Sequence, residues 1–582
     1  MKVKHFFGLA VLAAMTASCS SNDELVNNGG GTGANEATES YATFSINLPT
    51  VTGTRAADTG GAEMNGGTNN EYEVKDATAL IFKKAGASEN SYVFVESVDL
   101  STMDWKTDAT EGGVTTQAKV VAKLKGVSDD GNYYALVLLN NKTTDNGYKV
   151  ALPTNGTYGT WNNAAKDNVD FTDNGFFMAN APLLTGSATT PTTLVNIAKG
   201  KIYASKKAAE DATDNTVVYV ERGVAKVDVS TPGTDGTVKV KYNGAENEDE
   251  VKFSAWTLDV TNKKTYAVHR FDGLNDGNNY TGIWSKDRFK GTNGRIYWGI
   301  DPNYADNDLA AITSGTDDKR NQEFNYITND KVTNAFSTAD AVKPLYCLEN
   351  TFNLNNMTQG QTTRVVFKSV YTPKGMNGGD TFYKVGKMET LLKADDLKQI
   401  INKAAGEVLA NCTLKDAADL LTTGGVHLLT YADLKVGPDD LDGTDDKKYN
   451  SASQSGKDVA AAINAKLGLE DSERAEDKVG INTYKDGVTY YIARIKHFGD
   501  GTGMTPWNPG EPTYGSENEK YLGRYGVLRN NWYNLAINSV SGPGYPDVPT
   551  PDPDMPDDEN EKYISVSVKI LDWAKRSQTV DL

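Results

Sequence analysis

The chain has 582 residues, a net formal charge of −18 and only four histidines. Its three cysteines exclude a disulfide-dense scaffold and any CxxC zinc or redox site, and the acidic balance argues against a charge-driven nucleic-acid or anionic-membrane surface. Hydrophobic residues make up 38%, enough for a core, while 55 Gly and 29 Tyr point to a loop-rich, β-leaning protein of several domains.

The chain begins MKVKHFFGLAVLAAMTASC. Lys2 and Lys4 form a positive start, and Phe6 to Met15 form an apolar run too short to span a bilayer. Small residues then lead to Cys19, which resembles the acylated cysteine of a bacterial lipoprotein signal; the alternative is an ordinary secretory signal with an incidental cysteine. Residues 20–40 read as a flexible tether. In YATFSINLPT (41–50), Ala42, Phe44, Ile46 and Leu48 face one way and Thr43, Ser45 and Asn47 the other, a period-2 strand ended by Pro49. An exposed Gly-rich loop, 51–70, follows, with Arg55 in GTRAADTGG; small flanking residues suit a protease cleft, and a cut there would release everything before Ala56 together.

Further short strands are expected at 72–82, 92–98, 118–124, 133–141, 238–242, 253–262, 364–371 and 488–498, with one long alternating strand at 217–230. Gly, Asn and Asp clusters separate them, the pattern of a β-sandwich class. Between about 385 and 480 the period changes: Leu397, Ile400, Ile401, Ala404, Ala405, Val408 and Leu409 recur at helical spacing. Shorter helical patterns cover 413–422 and 458–467, the latter with Asp458 as its cap and Gly468 as its stop. The Pro/Asp-rich stretch 542–561 reads as an extended, solvated linker. It leads to a last strand in which Ile564, Val566, Val568 and Ile570 alternate with Ser565, Ser567, Lys569, Leu571 and Trp573. So apolar a strand on a solvated linker needs a groove to lie in.

Chemistry-bearing patterns are sparse. No GxSxG, HExxH, P-loop or dinucleotide fingerprint is present, so neither an enzyme nor a cofactor or metal is expected. Cys347 and Cys412 read as buried thiols, although pairing after export stays open. Asp440, Asp442 and Asp445 form an acidic loop without the closing glutamate of an EF-hand, and read as a solvated loop. His497 reads as structural, and the aromatic loop 505–515 as packing, with glycan stacking the alternative.

Several stretches resemble one family: NGFFMANA (174–181), VERGVAKVDV (220–229), RIYWGIDPNY (295–304), PLYCLENTF (344–352), GVTYYIARIKHFGD (487–500), RYGVLRNNWYNLAINSVSGPGYP (524–546) and YISVSVKILDWAKRSQTVDL (563–582). They are similar to the fimbrillins of Bacteroidales, the shaft subunits of type V pili. The resemblance implies a mainly β protein of two transthyretin-like β-sandwich domains, 56–212 and 213–541, with the helix-bearing insertion at about 385–480 in the second. Segment 1–19 would be the lipoprotein signal through the lipidated Cys19, 20–55 the propeptide with the removable strand, and 542–582 the linker and donor strand. It further implies a precursor on the outer membrane, cut between Arg55 and Ala56 by a trypsin-like protease. The removed strand would carry Ala42, Phe44, Ile46 and Leu48. A C-terminal strand of the next subunit, with Ile564, Val566, Val568, Ile570 and Trp573, would take its place. The implied partners are further copies in a linear polymer, anchor and tip subunits, and host or bacterial surface receptors; no nucleic acid is involved. The alternatives are an anchored surface glycan-binding lipoprotein, a pilus anchor and a tip subunit.

Overall fold

A computed structural model of the chain describes its residues outside 1–38, 48–68, 72, 102–116, 185–190, 231–234, 243–244, 272–288, 290–295, 297, 305–317, 328–335, 337–342, 352, 354–355, 437–453, 473–477, 498–519, 553–554, 558–563 and 573–582. The class is mainly β. The first sheet has nine strands: β1 (Ser40–Asn47), β2 (Ala77–Lys83), β3 (Val93–Asp99), β4 (Gln117–Leu124), β5 (Tyr133–Leu139), β6 (Met178–Asn180), β7 (Val195–Ile197), β8 (Ile202–Tyr203) and β9 (Thr216–Arg222). Their order is β3-β2-β5-β6-β9-β1-β4, with β7 beside β5 and β8 beside β1. Phe44 and Ile46 of β1 and Val218 and Val220 of β9 alternate into one apolar cluster, whereas β2 and β5 are buried on both faces, Leu80 to Phe82 and Ala135 to Leu139 all being fully buried.

The second part begins at β10 (Ala225–Ser230). It continues through β11 (Thr237–Tyr242), β12 (Ala245–Asp259), β13 (Leu345–Cys347), β14 (Arg364–Thr372), β15 (Phe382–Val385), β16 (Gly425–His427), β17 (Ile481–Tyr484), β18 (Val488–Arg494), β19 (Asn531–Val540) and β20 (Ile564–Asp572). Two four-stranded sheets, β13-β10-β19-β20 and β11-β12-β14-β18, share a core that includes Val227, Phe253, Phe367, Tyr491, Tyr533 and Leu535. The helical stretch lies between β15 and β17, which pair antiparallel. It carries Ala394–Val408, Asp419–Thr422 and Gln454–Lys466 and has its own core around Leu397, Ile401, Leu420 and Ile463. Gly468, at φ +68°, ends the last helix, while Leu469 N–H donates back to Asn464 O over 2.9 Å. Asp458 lies four residues inside that helix rather than at its cap, because helical pairing already begins at Gln454.

Two further expectations need correction. The alternating run 217–230 is two strands in two different sheets, β9 and β10, because the chain changes sheets at Gly223–Val224. A Cβ on Gly223 would sit 2.5 Å from the Phe171 ring, so this crossing needs glycine. The first sheet therefore extends to Arg222, beyond the expected division at 212/213. Nor do the described residues of 542–557 form a solvated linker. Gly542, Pro543, Gly544, Val548, Asp552 and Asp557 are buried, Tyr545 bridges Tyr490, and Pro556 bridges Thr358. The Arg364 guanidinium, itself paired with Asp259, donates to Pro549 O, so the segment packs on the second core before β20 begins.

Candidate functional site: the slot that holds the first strand

β1 is an inner strand of its sheet. Along one edge, Ser40 to Asn47 pair antiparallel with Leu124 to Gln117 of β4. Along the other, Tyr41 and Ala42 pair antiparallel with β8, and Phe44 to Asn47 run parallel to Thr216 to Tyr219 of β9. Ala42, Phe44 and Ile46 are fully buried on the core side. Burying the Phe44 and Ile46 side chains favours this placement by about 1.5–3 kcal/mol each.

The opposite face is closed as well. The short helix Lys206–Glu210, N-capped by Ser205, lies over it with Ala209 fully buried. Thr43 is 2% exposed, and its hydroxyl donates to Ala209 O over 2.5 Å; Ser45 and Asn47 are also buried. Lys119 of β4 holds the helix end, its ammonium donating to Glu210 O at 3.2 Å and Ala212 O at 2.9 Å. Ser40 donates to Val127 O over 3.0 Å at the strand's start. β1 thus fills a slot with two hydrogen-bonding walls, an apolar floor and a roof that accepts one hydroxyl. Taking it away would leave both walls with unpaired edges.

The last strand, β20, lies antiparallel on β19, with Ile564 opposite Val540 and Asp572 opposite Asn531. It forms an edge of its sheet. Ile564 is buried, Val566 half-buried and Ser565 exposed. The pairing places Val568 and Ile570 opposite Leu535 and Tyr533. Cys19, Leu48, Arg55, Ala56 and Trp573 lie outside the described residues, as do the side chains of Val568 and Ile570, the acidic loop with Asp440, Asp442 and Asp445, and the aromatic loop 505–515.

A second feature carried no sequence signal. Glu71, which is fully buried, sits where the two parts of the chain meet. Its carboxylate lies 2.8 Å from the Lys226 ammonium and accepts from the Tyr346 hydroxyl at 2.5 Å. Its carbonyl accepts twice from the Arg222 guanidinium, at 3.0 and 2.9 Å. Lys226 also sits 3.5 Å from the centre of the Trp532 ring. Burial pushes the Lys226 ammonium below the usual lysine range, opposed by the Glu71 charge. Truncating Glu71 strands that ammonium in the interior, so Glu71→Ala is expected to cost about 3–5 kcal/mol, measured by chemical denaturation. A loss below about 1 kcal/mol, the range of exposed ion pairs, contradicts this account.

Other candidate groups have local partners. Cys347 and Cys412 are both buried and are not joined to each other, and burial pushes the Cys347 thiol up to about 12. His497 Nδ1 lies 2.7 Å from the Tyr533 hydroxyl. Among the described residues no group of three or more His, Cys, Asp or Glu is placed to hold a metal ion, and no helix is long and apolar enough to cross a membrane.

The family described as "Major fimbrial subunit protein type IV, Fimbrillin, C-terminal" matches residues 482–579, from β17 through β20. None of the curated proteins compared with the chain matches it. Solved structures similar to it include a candidate cell adhesion protein from Parabacteroides distasonis, at 10% identity and TM-score 0.37, covering 92% of this chain and 99% of that one. A fimbrial assembly protein from the same species is 9% identical at TM-score 0.24, over 56% and 94% of the two chains. The tip fimbrial protein Mfa3 from Porphyromonas gingivalis, with C-terminal truncation, is 12% identical at TM-score 0.25, over 92% and 100%. Residues 482–579, the C-terminal part of the chain, are thus similar to the C-terminal region of fimbrillins.

Proposed function

We propose that this protein is a structural shaft subunit of a surface fimbrium, without enzymatic activity, serving adhesion and biofilm formation. In this reading the precursor is exported as an outer-membrane lipoprotein acylated on Cys19 and is cut between Arg55 and Ala56 by a trypsin-like protease. The cut frees β1 from the rest of the chain. Residues 563–573 of another copy then fill the slot, and both domains have the transthyretin-like topology the resemblance implies. Anchor and tip subunits and surface receptors are the remaining partners.

The observation that supports this reading best is the position of β1. A strand at a sheet's edge is paired on one side only, so its loss leaves the rest of the sheet paired. This one lies between β4 on one side and β8 and β9 on the other, so its removal creates a strand-shaped vacancy that only another strand of the same pattern fills. The polypeptide between Asn47 and Asn69 is long enough to be cut without touching either paired element.

Substituting Arg55→Ala is expected to leave a lipid-anchored precursor whose slot stays occupied and which does not polymerise. Electron microscopy and the mass of the surface protein read both outcomes. Normal filaments from Arg55→Ala cells, with subunits starting at Ala56, would rule out cleavage at this site.

A further inference from the structure

We infer that the incoming strand enters the slot in the direction of β1 and in one register, with Tyr563 at the place of Tyr41 and Ile570 at the place of Leu48. The inference rests on the strand-exchange reading above and specifies how the second copy is recognised. The departing strand reads YATFSINL (41–48) and the last strand YISVSVKI (563–570). Position by position, tyrosine meets tyrosine, the apolar row Ala42, Phe44, Ile46, Leu48 meets Ile564, Val566, Val568, Ile570, and the hydroxyls of Thr43 and Ser45 meet those of Ser565 and Ser567.

The closed roof makes the hydroxyl matches matter. The place of Thr43 is 2% exposed and that of Ser45 is 6% exposed, so each admits a small side chain whose polar atom has a partner. At the first, Ser565 is placed to give its proton to Ala209 O as Thr43 does. Other placements fail on charge. Sliding the strand so that Val566 takes the place of Ala42 brings the Lys569 ammonium under the roof at Ser45. Sliding it the other way puts Lys562 at Ala42, which is fully buried. A slip of one residue exchanges the two faces. Reversing the strand with the same apolar row puts Lys569 at Thr43. A reversed placement that keeps both serines under the roof puts Tyr563 at the buried Asn47 and Lys562 at Leu48, losing the match at both ends. In the inferred placement the strand runs antiparallel to β4 and parallel to β9, as β1 does, and Lys569 comes to the place of Asn47, the last residue of β1 and 8% exposed, so that of the placements with the serines under the roof this one brings its lysine to the end of the slot, where a long stem can carry the ammonium outward.

Paired cysteines test this in assembled filaments of the mature chain, in which Cys347 and Cys412 are buried. β1 places Thr43 opposite Val121 and Ser45 opposite Lys119. The pairs Ser565→Cys with Val121→Cys, and Ser567→Cys with Lys119→Cys, are therefore expected to give covalent ladders on oxidation or with a short bifunctional thiol reagent. The crossed pairs, Ser565→Cys with Lys119→Cys and Ser567→Cys with Val121→Cys, are expected to give less than a tenth of that yield. Ladders chiefly from the crossed pairs, or from Ser565→Cys with Gln117→Cys, overturn the inferred direction or register while keeping strand exchange. Filaments in which none of these pairs joins subunits overturn the inference and the strand-exchange reading together. Non-reducing electrophoresis reads each case, with single-cysteine filaments as the control for chance collisions.

Discussion

Truncation after Glu561 is expected to give folded, cleaved monomers that do not extend a filament. Burying Ile564, Val566, Val568 and Ile570 in a neighbour's slot is worth roughly 6–12 kcal/mol gross, with main-chain bonds to two walls added. Ordering the strand offsets part of this, at about 1–2 kcal/mol per residue, so the joint depends on the whole strand. Within one chain the loss is smaller. The strand forms an edge and adds the buried Ile564 and half-buried Val566 to a core already filled by Phe253, Phe367, Tyr491, Tyr533 and Leu535. The truncated subunit keeps an empty slot, so it should accept the strand of a full-length subunit and stop growth at that end. Size-exclusion chromatography and circular dichroism check the folded monomer, and electron microscopy of mixtures checks the capping. Filaments of normal length from truncated subunits alone would exclude residues 563–573 as the joint.

Ser565→Asp should separate folding from assembly. In the unassembled chain Ser565 is exposed on β20, where a charge changes stability by less than about 0.5 kcal/mol. At the place of Thr43 the same carboxylate would be buried against the Ala209 carbonyl, an acceptor that cannot pair with it. A buried unpaired charge costs at least about 2 kcal/mol, which weakens the joint roughly thirtyfold or more. Melting temperature should stay within a degree or two of the parent while filament yield collapses. Ser565→Thr, which copies the residue β1 carries there, should assemble. Val566→Asp is a blunter tool, because Val566 is half-buried against the chain's own core as well. A face that was solvated would have tolerated Ser565→Asp; the roof formed by Lys206–Glu210 makes both faces of the slot selective. Normal filaments from Ser565→Asp would show that this face is open in the joint.

Local pattern revealed β1 but not its surroundings. Alternation in YATFSINL gives a strand with one apolar face, whereas its partners lie about 75 and 170 residues away, and pairing at that distance leaves no periodic trace. The helical insertion was legible because a 3.6-residue period differs in kind from a 2-residue one, and Leu397, Ile401, Ala404 and Ala405 are indeed its buried face. Alternation does not register a change of sheet, so 217–230 looked like one strand; the only local mark of the crossing is Gly223 beneath the Phe171 ring. Composition misled at 542–557, since Pro and Asp mark a solvated linker equally well as a segment whose carbonyls and carboxylates find partners, as Pro549 does with Arg364. The Glu71 junction draws Arg222, Lys226, Tyr346 and Trp532 from distant stretches, and nothing in NNEYE distinguishes Glu71 from Glu73 as the buried one.

The N-terminus of subunits taken from intact surface filaments tests the central claim most directly. Intact-mass measurement or N-terminal sequencing reads it without any mutation. Strand exchange requires β1 to be gone, so the account predicts subunits that begin at Ala56 and lack residues 40–47. Filament subunits that begin at a lipidated Cys19 and still carry YATFSINL would contradict it, because the slot would be filled by the chain's own strand.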